Sequence, residues 1–567
     1  MQVVIPMSGF GERFRRAGYA VPKPLIEIEG KPIVAHVIDM FPGETDFIFI
    51  CNQAHLNEPA FRMEAILREY CPSGRVIGIP AHKLGPVNAV RQVEHLLDPR
   101  QPVVVNYCDF TCYWDWNHFK RYVQDTACAG AIPAYKGFHP HSLGNTNYAY
   151  LRETEGWVQD IQEKKPYTDD RMEEYASSGT YYFASAQIMS QAFGAAVEQD
   201  LNVGGEYYVS LAYKPMLDSG QAVAVYPLQH FMQWGTPEDV AEYNTWSTAF
   251  QGLARPSALA LTAHSKGALI IPMAGLGQRF VNEGYALAKP LISVSGLPMV
   301  AQAAHDLPAA SQHVFVLRAD MAGHDQVKNE LGMLYPNAII TTIEQLTEGQ
   351  ACTALIGLDA LEANVSVLAK PTVSPVTIGA CDSGALYDVD AFNALLSDPA
   401  VDVVVWGVRG YPNATRHPHM FGWIDAEDGR VRSVSVKSPL ANPASDPIVL
   451  GTFTFRRPED FRRALNRLIA RDGRINGEFY IDALINDAIA LGMQCRLFNV
   501  ASYLCWGTPT DLRTFEYWQS CFHKWIAHPY RLEKDQRIPA EALRDLETKY
   551  AAVAPQKPPR RNEIHQC

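Results

Sequence analysis

The feature that most constrains this chain is an internal repeat. Residues 5–32 (IPMSGFGERFRRAGYAVPKPLIEIEGKP) recur as residues 271–298 (IPMAGLGQRFVNEGYALAKPLISVSGLP), with 16 of 28 positions identical. Later motifs recur at displacements of 266 to 273 residues, for example WGTPEDV at 234 and WGTPTDL at 506. A nearly constant displacement indicates that a whole domain is duplicated and that insertions are short and lie in loops.

The length agrees with a duplicated domain. A chain of 567 residues is too long for one hydrophobic core, whereas two domains of about 250 residues are ordinary. We predict a first domain over 1–255, a linker over 256–267, a second domain over 268–530, and a C-terminal helix with a mobile tail over 531–567. The end of the tail is rich in proline and basic residues, which favours mobility.

Composition excludes several classes of protein. No stretch approaches the roughly 20 apolar residues of a membrane span, and MQVVIPM lacks the features of a signal peptide, so we expect a cytoplasmic protein with no membrane partner. The eleven cysteines form no CxxC pair, which disfavours a zinc site. A net charge of −12 disfavours nucleic acid as a partner, so local cations and backbone N–H groups must hold any anionic ligand.

Apolar runs alternate with helical patterns in both halves. In the first half, 2–7, 46–51, 76–79 and 102–109 are predicted strands, and 31–41, 58–70 and 86–97 are predicted helices. The second half has the same order. This alternation predicts two α/β domains, each with a mostly parallel mixed sheet flanked by helices. The sequence leaves the oligomeric state open, a homo-oligomer included.

A glycine loop follows the first strand of each half. In SGFGERF, two glycines allow backbone N–H groups to approach an anion, and the next helix adds the positive end of its dipole. A dinucleotide-binding loop is disfavoured because Phe14 stands where GxGxxG has its third glycine, and no GK[ST] follows to make a Walker loop. A bare GxG is also typical of a tight turn. Here, however, it is accompanied twice by an arginine and a lysine, at 13 and 23 and at 279 and 289.

Together these motifs resemble those of the sugar-phosphate nucleotidyltransferases, also called NDP-sugar pyrophosphorylases. The resemblance covers each half nearly end to end, including NYCD, EKKP, GTYYF, GEYY and WGTPEDV, and is closest to the branch serving capsule and lipopolysaccharide biosynthesis. It implies two tandem GT-A-like (Rossmann-like) domains. It also implies that a sugar phosphate attacks the α-phosphorus of a nucleoside triphosphate, that pyrophosphate leaves, and that Mg²⁺ takes part.

The resemblance implies a role for each residue that matches the family's motifs. The catalytic cations are Arg13, Lys23, Lys164, Arg279, Lys289 and Lys437. The nucleotide-binding residues are Met7, Ser8, Gly9, Gly11, Gly85, Asn88, Met273, Ala274, Gly275, Gly277, Gly349 and Thr353. The substrate-binding residues are Glu163 and Gly179, and the metal ligands are Asp109 and Asp382. Glu206 and Glu478 are further carboxylates present in both halves, and we expect them to bind sugar hydroxyls, with a role as second metal ligand or a structural role as the alternatives.

Several positions depart from the family's pattern. A second metal-binding aspartate would stand at Gln233 and Cys505. Val436 stands where the first half has Glu163, and valine cannot accept a hydrogen bond from a sugar hydroxyl. The second domain therefore uses a different acceptor or has lost this step. We predict that the first domain is the better catalyst, because it alone retains Pro22 and Glu163.

Two other functions stay open. A GT-A glycosyltransferase has a similar sheet, but it usually shows an Asp-x-Asp metal motif, which CDFT (108–111) and CDSG (381–384) lack. Alternatively, the second domain has a degenerate site that senses a nucleotide or only supports its partner.

Overall fold

The structure is a computed structural model that describes residues 1–144, 147–255, 264–367 and 374–559. The chain divides into two compact units, here called the first and the second unit. The first comprises Met1–Asn244 together with the residues from Ala551 onward, and the second comprises Thr245–Tyr550. Residues 256–263 of the predicted linker and 560–567 of the predicted tail lie outside the described residues. The predicted domain limits stay a prediction.

The first unit alternates strands and helices. Its strands are β1 (Gln2–Met7), β2 (Glu27–Ile28), β3 (Lys31–Pro32), β4 (Asp46–Asn52), β5 (Arg75–Ile79), β6 (Val103–Asn106), β7 (Phe110–Tyr113), β8 (Gly130–Tyr135), β9 (Ala149–Thr154), β10 (Trp157–Glu163), β11 (Tyr175–Ser177), β12 (Thr180–Phe183), β13 (Val223–Leu228) and β14 (His230–Gln233). Its helices are α1 (Glu12–Arg16), α2 (Ile33–Asp39), α3 (Gln53–Asn57), α4 (Met63–Tyr70), α5 (Pro86–Arg91), α6 (Trp116–Thr126), α7 (Ala186–Glu198) and α8 (Tyr213–Asp218), and α9 (Pro237–Leu253) runs on into the second unit.

Within the described residues, the first unit has a ten-stranded mixed sheet of order β11-β9-β10-β13-β8-β12-β6-β1-β4-β5. The strands β6, β1, β4 and β5 pair in parallel, and antiparallel pairs dominate the other half. The parallel strands are buried because helices pack on them: Val4, Ile48 and Val105 share a core with Val90 of α5 and Phe193 of α7. The carboxyl ends of the parallel strands face the loops that follow, where open α/β sheets bind ligands.

The second unit is built in the same way. Its strands are β15 (His264–Pro272), β16 (Ser293–Val294), β17 (Leu297–Pro298), β18 (Ala309–Arg318), β19 (Ile339–Ile343), β20 (Val376–Ile378), β21 (Ser383–Leu386), β22 (Val403–Val408), β23 (Gly422–Glu427), β24 (Arg430–Val436), β25 (Ile448–Phe455), β26 (Cys495–Asn499) and β27 (Ser502–Cys505). Its further helices are α10 (Gln278–Asn282), α11 (Met299–Asp306), α12 (His324–Leu334), α13 (Gln350–Val367), α14 (Val389–Ser397), α15 (Pro412–Arg416), α16 (Pro458–Ala470), α17 (Ile481–Ala490), α18 (Pro509–Lys524) and α19 (Leu543–Tyr550).

The sheet of the second unit repeats the strand order of the first. Within the described residues its order is β19-β18-β15-β20-β25-β22-β26-β24-β23. Read in this direction, each strand occupies the position of its counterpart in the first sheet, when that sheet is read from β5 to β9. The long strand β25 pairs with both β20 and β23. The predicted fold class, two α/β domains with mixed sheets, is confirmed, and the duplication seen in the sequence is a duplication of the whole sheet.

Local structure differs from the sequence prediction at two places that matter. The predicted helix over 58–70 begins only at Met63, because Arg62 adopts a left-handed conformation (φ 48°) that separates it from a 3₁₀ turn at Pro59–Phe61. The predicted strand over 102–109 ends at Asn106, so Asp109 lies in the turn after the strand. In the residues described, no helix is long and apolar enough to cross a membrane.

Candidate active site

A cleft of about 660 Å³ opens at the carboxyl ends of the parallel strands of the first unit. It brings together residues that are far apart in sequence, from the glycine loop to the start of α9. The predicted site residues that line it are Met7, Ser8, Gly9, Gly11, Arg13, Lys23, Gly85, Asp109, Glu163, Lys164, Gly179 and Glu206. Met7 and Glu163 are the last residues of β1 and β10, and Arg13 lies in α1. The other nine lie in loops or in a 3₁₀ turn.

The glycine loop crosses one wall of this cleft. Gly11 adopts a left-handed conformation (φ 60°) that starts α1, a conformation that glycine accepts without strain. A Cβ on Gly9 would meet no atom within 4 Å, so the backbone here faces open space. The helix α1 has only five residues, so its dipole is small, and Arg13 supplies an exposed cation directly after the loop.

The same cleft contains a lysine–aspartate pair. Lys23 donates a hydrogen bond to Asp109 Oδ2 at 2.8 Å, and the two side chains are 25% and 21% exposed. Burial alone would lower the pKa of Lys23, but the charge of Asp109 and this hydrogen bond raise it, so the ammonium group stays charged. The charge of Arg13 acts on Lys23 in the opposite direction, which shows that the two cations share one electrostatic environment.

A second group of polar side chains lies around Glu163 and Lys164. Glu163 accepts a hydrogen bond from Ser210 Oγ at 2.6 Å, and burial raises its pKa to about 7. Lys164 has a left-handed backbone (φ 59°), and its ammonium group donates to the Tyr208 hydroxyl at 2.5 Å while lying 4.5 Å from the centre of that ring. The same hydroxyl donates to Glu206. A carboxylate, a cation and a tyrosine are therefore held together on one side of the cleft.

Two glycines are required by a left-handed backbone and by close contacts. Gly85 has φ 84°, and a Cβ on it would lie 2.6 Å from the Tyr207 nitrogen. The residue before it is hydrogen-bonded to the GEYY segment, because Tyr207 N donates to the Leu84 carbonyl at 3.0 Å. Gly179 has φ 95° and would bring a Cβ to 3.1 Å from Phe110. The residue Asn88 is not among those that line the cleft, because its amide donates back to the Leu84 carbonyl.

The donor set around Asp109 fits one divalent cation. Gly235 lies between the carboxylate and an amide, because a Cβ on it would lie 3.2 Å from Asp109 Oδ2 and 2.5 Å from Gln233 Nε2. Mg²⁺ is commonly held by one or two carboxylates and completes its shell with water and substrate phosphates. A further carboxyl group, Asp239, caps α9 through Thr236, and burial raises its pKa to about 6.

In the second unit, the loop and the lysine–aspartate pair recur. Gly277 is left-handed (φ 63°), and the residues around it are the buried Met273 and Ala274 and the exposed Gly275 and Arg279. Lys289 donates to Asp382 Oδ2 and, at 3.0 Å, to the Gly507 carbonyl. The position of Gln233 is taken by Cys505, whose pKa burial raises well above its usual value. A neutral thiol is a poor ligand for Mg²⁺.

The remaining predicted residues of the second unit have clear counterparts. Gly349 (φ 130°) approaches the Phe479 backbone as Gly85 approaches Tyr207, and the buried Thr353 bonds to Thr347 at 2.6 Å. Lys437 is left-handed (φ 56°) and donates to the Tyr480 hydroxyl at 3.0 Å. Glu478 is exposed.

Sequence reasoning missed two contributors to the first site. Tyr208 joins Lys164 to Glu206, and its recurrence as Tyr480 in the repeated GE-x-Y motif was an available signal. Asp239 lines the cleft but lies at a helix start, where aspartate is ordinary, so the sequence carried no signal for it.

Comparison with known proteins gives matches for the first unit. Residues 2–233 match the family model described as nucleotidyl transferase. The bifunctional protein GlmU of Burkholderia lata is 28% identical over 223 residues, and that of Burkholderia mallei is 26% identical over 223 residues. The matched part is 39% of this chain and 45% of each relative, so the chain spans less than half the length of these relatives.

Solved structures that the chain matches include a nucleoside-diphosphate-sugar pyrophosphorylase from Vibrio cholerae RC9. It is 20% identical with a TM-score of 0.36, and the match covers 44% of this chain and 98% of that one. The inositol-1-phosphate CTP transferase from T. maritima is 12% identical with a TM-score of 0.33, and the match covers 45% and 96%.

Proposed function

We propose that this chain, whose residues 2–233 match the nucleotidyl transferase family model, transfers a nucleotidyl group from a nucleoside triphosphate to a sugar phosphate and releases pyrophosphate. The observation that supports the proposal most is the cleft of the first unit. It combines an open glycine loop, Arg13 and the Lys23–Asp109 pair on one side with Glu163 and Lys164 on the other. Cations thus flank a cavity large enough for two phosphorylated substrates.

The first task of such a site is to hold several negative charges together. Backbone N–H groups of the loop and the Arg13 guanidinium bind the triphosphate, and the Lys23 ammonium neutralises charge near the reacting phosphates. Asp109, with the amide of Gln233 beside it, would hold Mg²⁺, which when bound supplies Lewis-acid stabilisation of the phosphoryl oxygens. The 2.8 Å contact between Lys23 and Asp109 supports this role, because it holds the positive charge in place without a bound substrate.

The second task is to orient the attacking phosphate. Lys164 is held by its left-handed backbone and by its hydrogen bond to Tyr208. Its ammonium group can therefore bind the phosphate of the acceptor with little further loss of side-chain entropy. Glu163 accepts hydrogen bonds from the sugar hydroxyls when it is ionised, and its raised pKa makes that ionisation sensitive to pH near neutrality. The predicted catalytic and binding residues of the first domain thereby fall into two functional groups.

The setting of the reaction follows from its substrates. Nucleoside triphosphates are cytoplasmic metabolites, and a nucleotide-activated sugar is the donor that glycosyltransferases use to build surface polysaccharides such as capsule and lipopolysaccharide. We therefore place the activity in the cytoplasm, upstream of such a transferase. Its partners are the two small substrates.

The test is a matrix of the common nucleoside triphosphates against a panel of sugar phosphates, with Mg²⁺ and with pyrophosphate release as the readout. We expect at least one pair to release pyrophosphate only when both substrates are present. Lys164→Ala should abolish this release, whereas Lys165→Ala, an exposed neighbour, should leave it within twofold. Failure of every pair would contradict the proposal, and transfer from a nucleotide-sugar instead would favour a glycosyltransferase.

A further inference from the structure

Three positions around the acceptor carboxylate differ together between the two units. In the first unit Glu163 lies opposite a small residue on the neighbouring strand and accepts a hydrogen bond from a serine hydroxyl. The second unit has a valine in place of this glutamate, but it has a carboxylate where the serine was. The corresponding pairs are Glu163 and Val436, Ala149 and Gly422, and Ser210 and Asp482, at displacements of 273, 273 and 272 residues.

The register of the strands supports this correspondence. Glu163 pairs with Ala149 in the β9–β10 ladder, and Val436 pairs with Gly422 in the β23–β24 ladder. Both ladders end at this pair, directly before the left-handed lysine of each unit. The strand positions are therefore equivalent in space within each unit and not only in sequence.

Gly422 leaves the room that Asp482 occupies. A Cβ on Gly422 would overlap the Asp482 carboxylate oxygen and would lie 3.2 Å from its Cγ. In the first unit the equivalent Ala149 carries a Cβ, and the counterpart of Asp482 is Ser210, which has only a short hydroxyl side chain. The loss of a methyl group on the strand thus accompanies the gain of a carboxylate on α17.

The surroundings of the two carboxyl groups are alike. Burial raises the pKa of Asp482 to about 6 and that of Glu163 to about 7, and in each case the neighbouring lysine, Lys437 or Lys164, acts to lower it. Each lysine also donates to a tyrosine hydroxyl, at 3.0 Å and 2.5 Å respectively. The same three chemical groups, carboxyl, ammonium and phenol, are present at both places.

We propose that Asp482 replaces Glu163 as the hydroxyl-accepting carboxylate of the second domain and that, with Lys437, it binds a phosphorylated polyol. This inference rests on the proposed function, because it assigns to the second domain the same class of acceptor. The aspartate side chain is one methylene shorter and comes from a helix instead of a strand. The hydroxyl that it contacts therefore lies elsewhere on the ligand, and the second domain takes a different phosphorylated polyol from the first.

A purely structural aspartate is the competing interpretation. Asp482 lies in the first turn of α17, where an acidic residue is favourable to the helix dipole. That interpretation predicts a loss of stability without a loss of ligand binding. It also gives no reason for the simultaneous changes at 422 and 436.

The experiment uses the full chain with Lys164→Ala and Glu163→Gln, which remove the two acceptor contacts proposed for the first site. Calorimetry measures the binding of hexose 1-phosphates, inositol 1-phosphate and glycerol 3-phosphate in the presence of Mg²⁺. We expect at least one to bind with a stoichiometry of one, and Asp482→Asn to weaken that binding at least tenfold. Asp390→Asn, an exposed aspartate in the first turn of α14, is the matched control and should leave binding within twofold.

A second variant tests the exchange itself. Gly422→Ala, Val436→Glu and Asp482→Ser together recreate the set of the first unit, and we expect this triple variant to bind the acceptor preferred by the first domain. Gly422→Ala alone should lower the melting temperature by several degrees, and by much less in the Asp482→Ser background, because the overlap is then removed. This comparison needs no ligand.

Unchanged binding by Asp482→Asn would overturn the inference, as would a background chain that binds no member of the panel. Failure of the proposed function is detected by a separate measurement. It would appear as the absence of pyrophosphate release by the unmodified chain, whatever the second domain binds.

Discussion

Glu163→Gln is the substitution that most sharply separates function from stability in the first domain. Gln keeps the size of the side chain and can accept from Ser210, but it carries no charge at any pH. Burial raises the pKa of Glu163 from 4.5 to about 7 in the folded chain. The wild-type carboxyl group therefore holds its proton in the folded state between these two pH values, while the unfolded chain releases it.

The sign of the stability effect follows from proton linkage. Between pH 4.5 and 7 the folded state binds more protons than the unfolded state, so the stability of the wild type falls as pH rises and is lowest above pH 7. A pKa difference of about 2.5 corresponds to about 3 kcal/mol at most, and contact with solvent reduces this to about 1–3 kcal/mol. Glu163→Gln removes this loss of stability. The variant should therefore have a higher free energy of unfolding than the wild type at pH 8 and about the same free energy of unfolding at pH 4.5.

Activity should change in the opposite direction. A hydrogen bond to a charged acceptor contributes about 1.5–3 kcal/mol, so the variant should lose about 10- to 100-fold in kcat/KM for the sugar phosphate. In the wild type the ionised fraction of Glu163 rises about tenfold between pH 6 and pH 8, and kcat/KM should rise with it at an apparent pKa near 7. The variant should lose this part of the pH profile.

Calorimetric melting of the full chain at pH 5 and pH 8, together with pyrophosphate release over the same range, measures both effects. Glu155→Gln, at an exposed position in the β9–β10 hairpin, is the control and should change neither. The reasoning is refuted if Glu163→Gln melts at a lower temperature than the wild type at pH 8, or if it keeps the wild-type pH profile of kcat/KM.

Three further predictions concern the rest of the site. Lys23→Ala should lower kcat about 10²- to 10³-fold, since it removes preorganised charge. Lys289→Ala should leave total pyrophosphate release within threefold, because we predict that the first domain is the better catalyst, and equal losses would contradict this order. Asp109→Asn should raise the Mg²⁺ concentration for half-maximal activity at least tenfold, and the exposed Asp125→Asn should not, as a titration with MgCl₂ will show. Gly85→Ala should destabilise the first domain by about 2–4 kcal/mol, through strain at φ 84° and overlap with the Tyr207 backbone. The control Gly43→Ala, at φ 86° but in open space, should destabilise it by about 1 kcal/mol. Equal melting temperatures of the two variants would count against the close contact.

The sequence predicted the fold and much of the candidate site because both depend on short-range patterns. The repeat required two like domains, and alternating apolar runs predicted the order of the strands. Lys23 and Asp109 are 86 residues apart, yet each follows an element whose end could be read from the sequence. Their direct contact could not be predicted, because it depends on how the strands are ordered in the sheet.

Other features were beyond the sequence for a definite reason. Asn88 lies beside the predicted loop, but its side chain bonds to the first turn of its own helix, a choice that neighbouring residues do not determine. The contact of Asp482 with Gly422 depends on tertiary packing, because the two residues are far apart in the chain. Strand register shows that Val436 occupies the position of Glu163, and the role of Asp482 as its replacement is a proposal.

The central claim is that the α-phosphorus of a nucleoside triphosphate bound beside Lys23 and Asp109 is transferred to the phosphate of a second substrate. It is tested most directly by a single-turnover experiment with triphosphate labelled at the α- or the γ-phosphate, using the substrate pair found in the matrix. The account predicts that the α label appears in a sugar-linked product and the γ label in pyrophosphate, and that Lys23→Ala stops both. An α label that stays in the triphosphate, or that is released only as free monophosphate, would contradict it.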